Sequence, residues 1–378
     1  MLGLYIHIPF CVKKCDYCDF LSFPCGARPQ TEKIQTYLQD LCKELSQAPD
    51  ILGKTEREVD TIFFGGGTPS ILTGEDLEPV FERIHQYFQV SSQAEISMEM
   101  NPGTITLEKL KGYKKLGINR VSLGVQSFQD EELRALGRIH TKEQALRGID
   151  QIKEVGFSNL NLDLMSGIPG QTVSSFYETL QTATNSGATH ISCYSLIIEE
   201  NTPFYEKYPT GAVDEETDRG MYRQAKEVLE DHGYLRYEIS NYAKEGFACQ
   251  HNLKYWDLSP YLGLGLGASS KLGNKRYQNV SDPEKYHQIL SAFHSPMTLT
   301  EELSPSDEKT EFMILGLRKI QGISSEEYNE RFHSDIENDF PGVVEKNRKL
   351  HLLKKESGRI YLTEKGLDVS NRVFLDFF

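Results

Sequence analysis

Six times over its first 233 residues the chain passes from a short β-rich run into an amphipathic helical run, and few architectures accept that alternation. The β-rich runs fall at 4–8, 59–64, 95–100, 120–125, 159–165 and 190–197. Strands separated by helices must lie parallel, because each return crossing is made by the helix, so the fold class is α/β with helices outside a parallel sheet. The helical runs carry their own signal. Ile34, Tyr37, Leu38, Leu41, Cys42 and Leu45 fall on one stripe at the 3.6-residue period, and Leu77, Val80, Phe81, Ile84 and Phe88 fall on another. Further helical runs start near Thr106, Thr141, Val173 and Glu215, several at a Thr or Asp able to cap the first free amides.

Six βα units are two short of a closed eightfold barrel. The expected architecture is therefore a partial (β/α)6, TIM-like barrel over residues 1–233, open on one side, with its active face at the C-terminal ends of the strands. From 234 to 300 the pattern changes to short strands and Gly-rich turns, such as YLGLGLGAS at 261–269, read as a cap that continues the sheet. Residues 301–378 read as a small winged-helix-like domain with three helical runs, a strand at 359–363 and a last helix. That domain carries 12 Lys/Arg against 16 Asp/Glu, and the whole chain has a formal net charge of −14, so a phosphate backbone would be repelled and nucleic acid is not an expected partner.

No run approaches the 18 or so apolar residues of a membrane span, and the start lacks the basic, apolar and small-residue succession of a secretory signal. The expected location is the cytoplasm, a reducing compartment where the seven cysteines are poor disulfide candidates. Three of them, Cys11, Cys15 and Cys18, are packed into the loop that follows the first strand, at the active face, and indicate a metal or redox site. Three thiolates can ligate three irons of a cubane and leave the fourth with an open position. Structural zinc is the rival reading, with Cys25 as a fourth ligand.

The other strands obey one rule: polar residues stand at their C-terminal ends, where a purely structural barrel would be apolar. Gly65-Gly66-Gly67-Thr68-Pro69 follows the second, Glu99 ends the third, Gln126 follows the fourth and Asp163 lies near the end of the fifth. For any one of these alone, a satisfied core hydrogen bond explains the residue as well as a ligand does.

Cys11-Val12-Lys13-Lys14-Cys15-Asp16-Tyr17-Cys18, with its aromatic Tyr17, resembles the cluster motif of the radical S-adenosylmethionine (SAM) superfamily, and the glycine run resembles that superfamily's GGE-type motif. The resemblance implies a 4Fe-4S cluster on Cys11, Cys15 and Cys18 whose open iron is chelated by SAM, cleaved by the reduced cluster to methionine and a 5′-deoxyadenosyl radical. Over nearly the whole chain the sequence resembles the family of oxygen-independent coproporphyrinogen III oxidase and its HemW-type relatives. That match implies SAM contacts at Tyr5, Tyr17, Gly66, Gly67, Thr68, Glu99, Gln126, Arg138 and Asp163.

Two departures separate the chain from the oxidase: Phe20 stands where the oxidase has a further cysteine, and only ten residues precede Cys11. His251-Asn252-Leu253-Lys254-Tyr255-Trp256 matches the H-N-x-x-Y-W signature of the HemW branch and contains the one tryptophan of the chain. The resemblance implies a haem chaperone that binds haem and passes it to haem-requiring apoproteins, as a monomer or homodimer. His251 is then a candidate axial ligand, with Tyr255 and Trp256 as flat surface beside the macrocycle. The alternative is the oxidase reaction itself, oxidative decarboxylation of coproporphyrinogen III.

Overall fold

A computed structural model describes residues 1–26, 31–52, 57–208 and 211–378. Six parallel strands form in the order expected: β1 (Leu2–Ile8), β2 (Glu58–Gly66), β3 (Gln89–Met100), β4 (Arg120–Gln126), β5 (Asn159–Ser166) and β6 (His190–Ser195). Their crossings are α1 (Thr31–Leu52), α2 (Gly74–Tyr87), α3 (Leu107–Lys115), α4 (Lys142–Glu154), α5 (Val173–Asn185) and α6 (Glu215–Asp231). Thr73, Thr141 and Thr172 close capping boxes at α2, α4 and α5, which is why each helix starts where it does.

β1 is buried on both faces. Leu2, Leu4, Ile6 and Ile8 belong to the main core, while the alternate residues Tyr5 and His7 share surroundings with the interior of the barrel.

The region after α6 extends the sheet at both edges. β7 (Leu235–Arg236) and β8 (Asn241–Ala243) add antiparallel strands beyond β6. Next come the short helix α7 (Gln250–Trp256) and β9 (Tyr261–Leu264), which pairs parallel with β1 on the side opposite β2. β10 (Ser269–Leu272), β11 (Lys275–Asn279) and β12 (Met297–Glu302) follow antiparallel. The result is a twelve-stranded sheet with free ends at β12 and β7, so the barrel is not closed. Glu44 of α1 fastens the cap: it is 4% exposed and accepts from Gly265 N (2.8 Å), Asn279 Nδ2 (2.6 Å) and the Tyr286 hydroxyl (2.5 Å). Burial pushes its carboxyl up to about 7.

Residues beyond 303 have their own core, including Met313, Leu317, Tyr328, Val344, Ile360 and Phe374. The single sequence pattern of three helical runs resolves into four helices, because Asp335 and Gly342 start the short turns Ile336–Asp339 and Val343–Lys349 separately. A three-stranded sheet of Ile323–Ser324, Arg359–Leu362 and Leu353–Glu356 completes this winged-helix-like unit. Among the described residues no helix is long and apolar enough to cross a membrane.

Candidate functional site

At the C-terminal ends of β1 to β6 lies a cavity of about 550 Å³. Its lining includes Cys11, Cys15 and Cys18, together with Tyr17, Gly66, Gly67, Thr68, Glu99, Gln126, Arg138 and Asp163. Eleven of the residues singled out in the sequence thus meet in one space. Tyr5 lies in an adjoining chamber of about 240 Å³ deeper in the barrel, which shares Gly66, Glu99 and Asp163 with the first.

The cysteine loop is held at its base and at its middle. Phe10–Cys11 pairs in parallel with Phe23–Pro24, and Cys25 N donates to Cys11 O at 2.8 Å. Inside the loop Cys18 N donates to Cys15 O at 3.1 Å, and Tyr17 packs edge-on against Phe204. His7 Nε2 bonds Leu21 O at 2.8 Å, which makes Nε2 the protonated nitrogen and leaves Nδ1 to accept from the Tyr5 hydroxyl at 3.0 Å. Cys25 turns its thiol to Cys11 O at 3.2 Å, toward the backbone.

The glycine run is required by close packing. Gly66 has φ +108°, and a Cβ there would lie 2.4 Å from the His7 ring; a Cβ on Gly67 would lie 2.7 Å from Phe10 O. Gly66 N donates to Glu99 Oε2 at 3.1 Å. Burial and the facing Asp163 push the Glu99 carboxyl up to about 8. Asp163 is raised as well, chiefly by burial, although Asn161 Nδ2 (2.8 Å) and Ser122 Oγ (3.1 Å) donate to it.

Two of the three sulfurs have a donor aimed at them. Thr68 Oγ1 donates to Cys11 Sγ at 3.4 Å, and Arg138 Nη1 to Cys15 Sγ at 3.6 Å. Burial raises the Cys18 thiol to about 11 and raises that of Cys11 as well, so at these two positions bound iron would have to displace a proton. Among the described residues no three of His, Cys, Asp and Glu gather tightly enough for one metal ion. A cubane takes one thiolate on each of three irons, so three cysteines suffice for it, whereas structural zinc usually wants four ligands. Arg138 Nε is buried without a partner, and with Glu99 and Asp163 it supplies both signs of charge that an amino-acid zwitterion needs.

His251 is 1% exposed, Nδ1 bonds Thr61 Oγ1 at 2.8 Å, Nε2 bonds the Tyr255 hydroxyl at 3.0 Å, and the ring stacks on Phe63. As folded, both ring nitrogens are hydrogen-bonded, and the imidazole lines the deeper chamber. Tyr255 lines the deeper chamber, and Trp256 lies under Arg318 at 4.5 Å, outside both spaces. What places His251 there is Glu95 of β3, whose carboxylate accepts from Gln250 N (3.0 Å) and His251 N (3.1 Å) and thereby draws the start of α7 into the barrel.

Some lining residues were missed, two of them polar groups on the strands. Ser122 precedes the end of β4, and Tyr194 of β6 donates its hydroxyl to Gln126 Oε1 at 3.0 Å. The strand-end rule applied to the sixth strand would have found Tyr194.

Three thiols gathered in a loop over a glycine turn, at the mouth of a partial barrel, are the site of a radical SAM protein. Comparison agrees: the pattern of the Radical SAM superfamily matches residues 5–183, and that of the HemN C-terminal domain matches 303–369. The chain is 35% identical over 378 residues to the heme chaperone HemW of Bacillus subtilis (strain 168), covering 99% of this chain and 98% of the relative. It is 41% identical over 272 residues to the heme chaperone HemW of Escherichia coli (strain K12), 72% and 70% of the two chains. The chain belongs to the HemW family of radical SAM proteins. Its fold is that of the coproporphyrinogen III oxidase (HemN) from Escherichia coli, a solved structure 23% identical to it with a TM-score of 0.88, covering 100% of this chain and 89% of that one.

Proposed function

We propose that this chain is a cytoplasmic haem chaperone, which takes up haem and hands it to haem-requiring apoproteins, as a monomer or a homodimer. The reading divides the chain into the barrel (1–233), the cap that carries the H-N-x-x-Y-W motif (234–300) and the C-terminal unit (301–378). The observation that carries it is correspondence over essentially the whole length with relatives named as heme chaperones. Phe20, 68% exposed at the mouth of the cavity, supports it: an apolar ring stands where the oxidase has a further cysteine.

In this reading Cys11, Cys15 and Cys18 hold a 4Fe-4S cluster and the cavity holds SAM. The bound pair would supply one-electron reductive chemistry at its open iron. The chain's own residues do the rest. Arg138 takes the carboxylate of SAM, Glu99 its ammonium, Asp163 and Gln126 its ribose hydroxyls, and Gly66, Gly67 and Thr68 let its backbone come close. Tyr17 walls the space, and Tyr5 would approach SAM from the adjoining chamber. His251 is the candidate haem ligand and would give up its bond to Thr61 or Tyr255 to reach iron, with Tyr255 and Trp256 as candidate flat surface beside the macrocycle.

The test is anaerobic: reconstituted protein is supplied with SAM, reductant and coproporphyrinogen III, and titrated separately with haem. Stable haem uptake without protoporphyrinogen is the expected result. Formation of protoporphyrinogen would replace the chaperone reading with the oxidase one.

A further inference from the structure

Tyr194 of β6 has a hydroxyl that packing alone does not require. Tyr194 packs against the apolar cluster of Leu136, Met165, Ile168 and Phe204, a setting that a phenylalanine would fill equally well. A hydroxyl in such a place costs free energy unless it is hydrogen-bonded, and its partner is the Oε1 of Gln126 at 3.0 Å. Gln126 is itself unusual. It is 5% exposed, has φ +67° in the left-handed region, and sits where the β4–β5 register shifts between Gly124 and Gln126. A non-glycine residue held in that conformation is strained, and such strain persists where the surrounding structure enforces it.

With Oε1 taken by Tyr194, the amide nitrogen is the free end of Gln126. A Cβ built on Gly124 would lie 3.2 Å from that Nε2 and 3.2 Å from Arg138 Nη2, so the two donors converge over the bare Gly124 backbone. Arg138 Nη2 is fastened to Gly124 O at 2.5 Å. We infer that Tyr194 is a positioning residue: it fixes the Gln126 amide so that Nε2, beside the Arg138 guanidinium, faces an oxygen acceptor of the ligand, a ribose hydroxyl in the assignment above. The inference rests on the reading that this cavity holds SAM.

The experiment measures equilibrium SAM affinity of anaerobically reconstituted protein in a double-mutant cycle of Tyr194→Phe and Gln126→Ala, with iron content confirming an intact cluster in every variant. Loss of one neutral hydrogen bond corresponds to about a tenfold weaker affinity for Tyr194→Phe in the wild-type background. The same change should cost less than about twofold once Gln126 is alanine, because the hydrogen bond through which Tyr194 positions the amide is gone. Gln126→Glu, which keeps an acceptor for Tyr194 but loses the amide donor, should bind as weakly as Gln126→Ala. Wild-type affinity in Tyr194→Phe, or an equal loss in both backgrounds, would overturn the positioning role. Absence of SAM binding in the wild-type protein would instead remove the reading of the cavity on which the inference stands.

Discussion

His7 Nε2 reaches the carbonyl of Leu21 over 2.8 Å and so ties β1, from inside the barrel, to the far arm of the cysteine loop. The ring also packs under Gly66, so one imidazole sets the height of the loop above the glycine turn. Replacing it by alanine leaves a carbonyl without its donor, at about 1–3 kcal/mol. His7→Ala is expected to bind fewer irons per chain on reconstitution, read by iron and sulfide content; a full complement would show that the loop holds itself.

Burial lowers the pKa of His7, so the folded protein keeps it neutral while the unfolded chain takes up a proton near 6.5. Its contribution to stability is therefore complete above about pH 6.5 and is lost as pH falls below that value. Denaturant midpoints measured from pH 7.5 to 5.5 should fall, and fall less in His7→Gln.

Gly66→Ala should be severe. The left-handed backbone costs on the order of 1–3 kcal/mol for alanine, and the new methyl would displace the His7 ring. A clear drop in urea midpoint is expected, whereas Gly170→Ala, also at positive φ but with nothing within 4 Å, should lose only the strain.

Glu99, held up to about 8, is largely protonated at pH 7 without ligand. An ammonium brought beside it favours the carboxylate, so the ligand should expel a proton and bind more tightly as pH rises from 6.5 to 8, by up to about tenfold per unit. Calorimetry of SAM binding in buffers of different ionisation enthalpy should show the proton release, and Glu99→Gln should reduce it.

Trp256 is the one tryptophan of the chain and lies 4.5 Å from the Arg318 guanidinium. Arg318→Ala should cost about 1 kcal/mol and change the intrinsic emission, since the indole loses its cationic neighbour. Unchanged emission would mean that the stack is not populated.

Much of the site could be read in the sequence because its chemistry is local. The cysteine spacing sits in one loop, and each of Glu99, Gln126 and Asp163 ends a strand whose period was visible. The orientation of His251 could not be read, because it is decided by Glu95, 156 residues away in sequence, and nothing in H-N-x-x-Y-W shows which face of α7 enters the barrel. Arg138 was legible only by resemblance, since it follows a short helix rather than a strand. The two-residue β7 was missed because a pair of residues carries no period.

The anchoring of α7 has an evolutionary corollary. Its first turn is located by a side chain of β3 in addition to the chain leading to it, so length can change between Lys244, pinned to Thr189 O, and Cys249, pinned to the Tyr237 hydroxyl, without moving that turn. Relatives with insertions there would still place an imidazole beside Thr61, and the floor of the barrel would survive length changes that elsewhere in the cap would shift a strand.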